Sequence, residues 1–315
     1  MAKTLGTMRW RKLGRIFDPA EHRSWIKSHA QVPTPFVMED RIRVFVADRN
    51  AANKSFLTWF DVDRADPMRV LGAREGSVMP YGRTGMFDDD GMMPGDVVTV
   101  SDELWMYYTG WNQGVTVPYR NSIGLARSRD GGASFERCFE GPVVDRSPIE
   151  PLMAVTPVIL RDDSTWRMWY VSGTRWVEVD GKLEPVYVIR HATSSDGVTW
   201  ARDGAICVAQ RDEFEAHAHP SVLRRADGYH MWFCHRDSRD FRDGAGSYRI
   251  GYAYAADGRS WVRRDGDAGI DVSVSGWDST MLCYPYVVSV DGKIYMFYNG
   301  NGFGRSGVGV AVLET

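Results

Sequence analysis

YPYVVSVDGKIYMFY, residues 284–298, reads as a proline-led apolar strand, a tight Asp-Gly turn and a second strand built around Met and aromatic side chains. It has four counterparts: HPSVLRRADGYHMWF from His219, TPVILRDDSTWRMWY from Thr156, PGDVVTVSDELWMYY from Pro94 and VPTPFVMEDRIRVFV from Val32. Aligning Pro33, Gly95, Pro157, Pro220 and Pro285 gives a period of about 62 to 65 residues, which suits a four-stranded propeller blade with long loops.

Behind each hairpin lies a second signal. IGLARSRDGGASF (residues 123–135), IRHATSSDGVTW (189–200) and IGYAYAADGRSW (250–261) predict third strands turning through Asp-Gly into fourth strands, by type I′ turns. The C-terminal VGVAVLE (308–314) matches a third strand with no fourth after it, and Trp10 to Ile16 resembles the fourth strand Trp200 to Ile206. The expectation is an all-β, five-bladed β-propeller of four-stranded antiparallel blades. One domain spans residues 1–315, and the N-terminal strand closes the ring in the last blade.

Composition fits that single unit. A hydrophobic content of 43% supplies a substantial core, and a net charge of −3 exerts no general pull on polyanions, so nucleic acid is not an expected partner. No stretch has transmembrane length and the basic start lacks the apolar core of a signal peptide, so neither a membrane nor export is expected and the cytoplasm is the expected location. Cys138, Cys207, Cys234 and Cys283 have no paired spacing, which argues against a zinc site or disulfide framework.

If the first strand of each blade starts beside the central axis, residues just upstream of it and at the exit of the second strand share one face. The long connections Trp111 to Asn121, Arg175 to Tyr187 and Arg236 to Tyr248 open there too, and insertions gathered on one face of a repeat protein mark a binding surface. This gathers His29, Gln31 and Arg49 from blade one and Asp88, Asp89, Asp90, Asp96, Trp111 and Asn112 from blade two. Glu150 comes from blade three, Glu215, His217, His219, Arg236 and Tyr248 from blade four, and Asp278 and Asn301 from blade five. Carboxylates, histidines, amides and aromatic rings around an axial funnel suit a saccharide, whose hydroxyls need donors and acceptors and whose ring faces stack on aromatics. His217 and His219 form a His-x-His pair without further ligands, so sugar hydrogen bonding is expected there rather than a metal, and no cofactor is expected. Arg49 and Arg236 have the paired donors to hold a carboxylate or phosphate, or to brace acidic loops. Trp111 and Phe303, beyond the core strands, are candidates for sugar stacking.

The chain resembles the five-bladed propellers of glycoside hydrolase families 43, 32, 62, 68 and 130, and its Pro-strand-turn-strand units are similar to those of family 43. The resemblance implies an axial carbohydrate site with acidic residues from several blades. It places a general-base Asp directly before the blade-one proline, where Val32 stands, and a general-acid Glu two residues before the blade-three proline, where Val155 stands. The family's second Asp matches Asp96.

Two functions follow as alternatives. A glycoside hydrolase or transglycosylase would draw its acid and base from Asp90, Glu215, Glu150 and Asp278, carboxylates entering from four blades. A glycan-binding or polysaccharide-assembly propeller would need no such pair. A close pair of carboxyls with one partly buried favours the first, and isolated carboxylates each tied to an Arg favour the second.

Overall fold

The computed structural model describes residues 8–22, 24–162, 164–242 and 244–314. The strands fall into five consecutive groups. β1 (Arg9–Phe17) opens the chain, followed by unit one with β2 (Ser28–Val37), β3 (Arg41–Arg49), β4 (Ser55–Asp63) and β5 (Val70–Ala73). Unit two holds β6 (Gly91–Val100), β7 (Glu103–Gln113), β8 (Tyr119–Ser128) and β9 (Glu136–Arg137), and unit three β10 (Ala154–Asp162), β11 (Thr165–Val179), β12 (Lys182–Ser194) and β13 (Ala201–Ile206). Unit four holds β14 (Glu215–Arg225), β15 (Gly228–Asp237), β16 (Arg249–Ala255) and β17 (Val262–Arg263), and unit five β18 (Cys283–Val290), β19 (Lys293–Asn299) and β20 (Val308–Glu314). Each unit is an antiparallel meander, and units one and two join into one sheet through a single parallel pair, Ser55 with Gly91. β1 pairs antiparallel with β20, from Arg9 opposite Glu314 to Phe17 opposite Val308, so the N-terminal strand completes the sheet of unit five. Among the described residues no helix is long and apolar enough to cross a membrane.

The second strands form the core because alternate side chains face opposite neighbours. In β7, Met106 and Tyr108 pack with Phe45 and Leu57 of unit one, while Tyr107 between them packs with Trp166 and Met168 of unit three. The same sharing recurs with Trp169 and Met231 between units three and four, Trp232 and Tyr298 between four and five, and Phe297 and Val44 between five and one. Each unit alone exposes two apolar faces, which explains why the Met/Trp/Phe/Tyr pattern recurs once per period. The first strands touch in the order β2, β6, β10, β14, β18, and β18 touches β2 again.

The turns differ from the sequence expectation in one respect. Left-handed backbone at both central residues occurs at Asp180-Gly181 and Asp291-Gly292, which join β11 to β12 and β18 to β19. At Asp130-Gly131, Asp196-Gly197 and Asp257-Gly258 only the glycine has positive φ. There the carboxylate takes the lead: Asp196 accepts the N–H groups of Val198 and Thr199, and Asp257 those of Arg259 and Ser260, each within 2.7–2.9 Å. An Asx-type cap lets a longer loop reverse the chain without placing Asp in a strained conformation. The Arg175 to Tyr187 connection is likewise an extension of β11 and β12 around Asp180-Gly181.

Candidate functional site

The aligned positions, four prolines and Gly95, mark a bulge in every first strand. The pairing register slips between Gln31 and Thr34, Pro94 and Asp96, Val155 and Val158, Ala218 and Ser221, and Cys283 and Tyr286. Directly before the proline, Val32, Thr156, His219 and Tyr284 hold φ of 56°, 46°, 46° and 53°, left-handed backbone that is sparsely populated by bulky residues. A bulge re-aims its side chain. Val32, Thr156 and Tyr284 line a cavity of about 880 Å³, with Val155, Ala218 and Met93 beside them. The rim comes from the second-strand exits and the connections that follow: Arg49, Asn53, Trp111, Tyr119, Glu184, Tyr187, Arg236, Phe241, Tyr248, Phe303 and Arg305.

Of the residues gathered from sequence, His29, Gln31, Arg49, Trp111, Arg236, Tyr248 and Phe303 line this cavity. Trp111 is held by its indole N–H, which donates to Ser55 Oγ at 2.7 Å. That bond passes over Gly91, where a Cβ would lie 2.2 Å from the indole nitrogen, so only glycine fits. Burial, with Arg49 and Arg305 nearby, lowers His29 to about 4, leaving its ring neutral at physiological pH.

The four expected acid and base residues lie outside the cavity lining, and three of them follow a repeated pattern. Glu150, Glu215 and Asp278 are buried at 1%, 4% and 3% exposure, and so is Asp88 at 0%. Each is tied to a cation on the fourth strand of its sheet. Arg137 of β9 donates to Asp88 at 2.8 Å, Lys12 of β1 to Asp278 at 2.8 Å, and Arg263 of β17 to Glu215 at 2.7 and 2.8 Å. Arg202 of β13 stands 3.8 Å from Glu150. Second-strand hydroxyls complete three of these clusters, Tyr108 on Asp88, Tyr170 on Glu150 and Tyr298 on Asp278. The carboxylates therefore fasten the entry to the first strand in units two to five to the fourth strand of the same unit. Asp90 is separate: the Gln113 backbone N–H and Lys54 hold its carboxyl below the ordinary range.

The remaining candidates other than His219 also have local partners. Asp89 accepts the Gly85 N–H, Asn112 Nδ2 lies 3.5 Å from the Met86 carbonyl, and Asn301 Oδ1 accepts from Thr280 N and Oγ1. His217 Nε2 sits 3.1 Å from Glu215. His219 is fully buried between Tyr284 and Tyr286 with neither ring nitrogen bonded to a described residue, and burial lowers it to about 3. Among the described residues no group of three His, Cys, Asp or Glu is placed to hold a metal.

Asp96 bridges units that are not neighbours in sequence. It accepts the Tyr286 hydroxyl of β18, the Ile159 N–H of β10 at 2.6 Å and the Val97 N–H at 2.8 Å. Burial outweighs these three donors and raises Asp96 from 3.8 to about 7. Because its folded pKa is raised, the stability it contributes is complete below about pH 4 and is lost as pH rises through about 7. The shift corresponds to roughly 4 kcal/mol at most. Thermal melts from pH 5 to 8 are expected to fall more steeply for the natural chain than for Asp96→Asn, whose amide does not titrate; parallel curves would contradict this.

No family model matches the chain. Two Mycobacterium tuberculosis proteins, MT1551 of strain CDC 1551 / Oshkosh and Rv1502 of strain ATCC 25618 / H37Rv, are each 40% identical to it over 309 residues, spanning 98% of this chain and 100% of their own length. Among solved structures, a BT0996 RGII complex superposes with a TM-score of 0.74 at 19% identity, covering 96% of this chain and 90% of its own. A thermostable family-43 glycoside hydrolase gives 0.66 at 17%, with 91% and 88% covered. A member of the GH130 family of mannoside phosphorylases, which contains glycoside hydrolases that target β-1,2 mannosidic linkages in Candida mannan, gives 0.67 at 17%, with 99% and 92% covered. The chain thus has the all-β, propeller-type fold of these glycoside hydrolases. By the near-complete match in length and sequence, it belongs to the family of the uncharacterized M. tuberculosis proteins Rv1502 and MT1551.

Proposed function

We propose that this chain is a single five-bladed propeller over residues 1–315 that binds a saccharide in the cavity at the entry ends of its first strands. The ring is supported by the cyclic contacts of β2, β6, β10, β14 and β18 and by one shared apolar cluster between each pair of neighbouring units, including five and one. The observation that carries the binding reading is the chemistry of the cavity wall. Rings of Trp111, Tyr119, Tyr187, Tyr248, Tyr284 and Phe303 meet amides of Gln31, Asn53 and Asn121 in a space of about 880 Å³. That volume accepts a sugar of a few rings, with aromatic faces for stacking and amides for hydroxyls.

Recognition without two-carboxylate hydrolysis fits this wall better than catalysis does. Val32 and Val155 stand where the family-43 resemblance puts the base and the acid, and both line the cavity. Glu184 is the only carboxylate in the described lining, and it is bound to Arg242 at 2.7 and 3.0 Å. One observation favours the hydrolase reading: Asp96, at the family's remaining acidic position, is poised near neutrality at about 7. Asp96 is itself buried outside the lining, and the one described carboxylate there, Glu184, is already paired with Arg242, so the wall offers no free pair to flank a glycosidic bond.

A glycan array read beside an aryl-glycoside panel tests the choice. Binding without turnover is expected, weakened about tenfold or more by Trp111→Ala through loss of ring stacking. Turnover that disappears in Asp90→Asn or Glu150→Gln, with folding intact, would instead establish the hydrolase.

A further inference from the structure

Resting on that saccharide reading, we propose that the ligand carries an oxyanion, a carboxylate or a phosphate or sulfate ester, that docks on Arg236 in the cavity that Arg49 and Arg305 also line. Arg236 is buried to 3% exposure at the end of β15, yet among the described residues its guanidinium has only neutral partners. Nε donates to the Tyr248 hydroxyl at 3.2 Å and Nη2 to the Pro185 carbonyl at 2.9 Å, while the Phe241 ring lies 3.7 Å beneath it. Nη1 has no partner among the described residues. A guanidinium withdrawn from water without a counter-ion is costly, and an oxyanion supplies both the charge and the missing acceptor.

The surroundings extend the same demand. Arg49 is held by the neutral oxygens of Gln31 and Asn53 at 3.3 and 3.0 Å, and no described carboxylate pairs with it or with Arg305. Beside the Arg242–Glu184 pair, the cavity thus presents three guanidiniums with no described acid partner, in a chain whose net charge is −3. Hydroxyl donors stand ready as well. Tyr248 accepts from Arg236 and keeps its own proton to give, and the Tyr119–Tyr187 pair, 2.9 Å apart, shares one proton and leaves the other. Guanidinium and hydroxyl donors converging beside aromatic rings recognise an acidic sugar by its charge at one end and its apolar ring face at the other.

Calorimetric titration of the full chain with glucose, glucuronate, glucose 6-phosphate and inorganic phosphate tests this. At least one charged sugar should bind about tenfold or more tighter than glucose, and the preferred one separates a carboxylate ligand from a phosphate ligand. Arg236→Met should abolish that preference. Since Arg236 is buried, Arg305→Gln at the exposed rim serves as the second variant and should reduce the preference several-fold with an unchanged melting temperature. Glucose binding as tightly as the charged sugars overturns the oxyanion site and leaves the saccharide reading intact. Inorganic phosphate matching glucose 6-phosphate marks an anion site without sugar recognition and overturns the saccharide reading. No binding of any probe at about 10 mM overturns the inference itself.

Discussion

A chain lacking residues 1–17 is expected to be insoluble or to lose its cooperative melting transition. β1 is the outer strand of a sheet whose other members come from the far end of the sequence. Three of its side chains are buried: Trp10 packs edge-on against Trp232 at 5.7 Å, Phe17 stacks on Phe60 at 4.5 Å, and Ile16 joins the cluster shared by units five and one. Burying three such side chains contributes roughly 5 to 9 kcal/mol, comparable to the whole stability of an ordinary domain. Deletion also frees the β20 edge, inviting pairing with other chains, and strips Asp278 of Lys12. Circular dichroism melts and sedimentation read the result; a truncated chain with unchanged melting temperature and solubility would contradict the pairing of β1 with β20.

The second large effect is expected at Glu215. Its carboxylate accepts from Arg263 twice, from Arg211 Nε and N at 2.7 Å each, and from His217. Burial alone would raise its pKa, but the hydrogen bonds from Arg263 and His217 overcome that and hold it far below the carboxylate range. A depressed folded pKa means stability present above about pH 4.5 and lost as pH falls below it. Arg263→Ala leaves this buried charge short of its main partner and is expected to cost about 3 kcal/mol, roughly 5–10 °C in melting temperature. Glu215→Gln should destabilise similarly without changing saccharide affinity. Unchanged melting together with lost ligand binding or turnover would place Glu215 in the functional site instead.

Packing between neighbouring units is where the sequence was legible. The apolar pattern of the first and second strands is dictated by packing between neighbouring units, so it repeats at nearly constant spacing and the strand groups can be read from Pro33 to Pro285. The match of Trp10 to Ile16 with the later fourth strands was equally visible. Cavity residues at strand exits, such as Arg49, Trp111 and Arg236, followed from strand direction alone.

The direction of side chains in the entry loops did not follow. Asp88, Glu150 and Asp278 each stand seven positions before Gly95, Pro157 and Pro285, a fixed offset that signals a repeated structural bond rather than a varied binding site. Their partners Arg137, Arg202 and Lys12 sit on fourth strands, too distant in sequence to be paired by inspection. Glu184, Tyr187, Tyr284 and Arg305 were missed among the cavity residues for another reason. Glu184 and Tyr187 reach the cavity through the extension of β12, which has no periodic sequence signature, and Tyr284 through the bulge before Pro285, where the repeated proline marks the position but not the direction of the side chain.

A crystal structure of the protein soaked with the best ligand of the glycan array tests the central claim most directly. The account predicts the sugar between Trp111, Tyr187 and Tyr284, with its charged group at Arg236. A ligand seated instead among the Asp130, Asp196 and Asp257 turns at the opposite ends of the strands, with the cavity vacant, would contradict it.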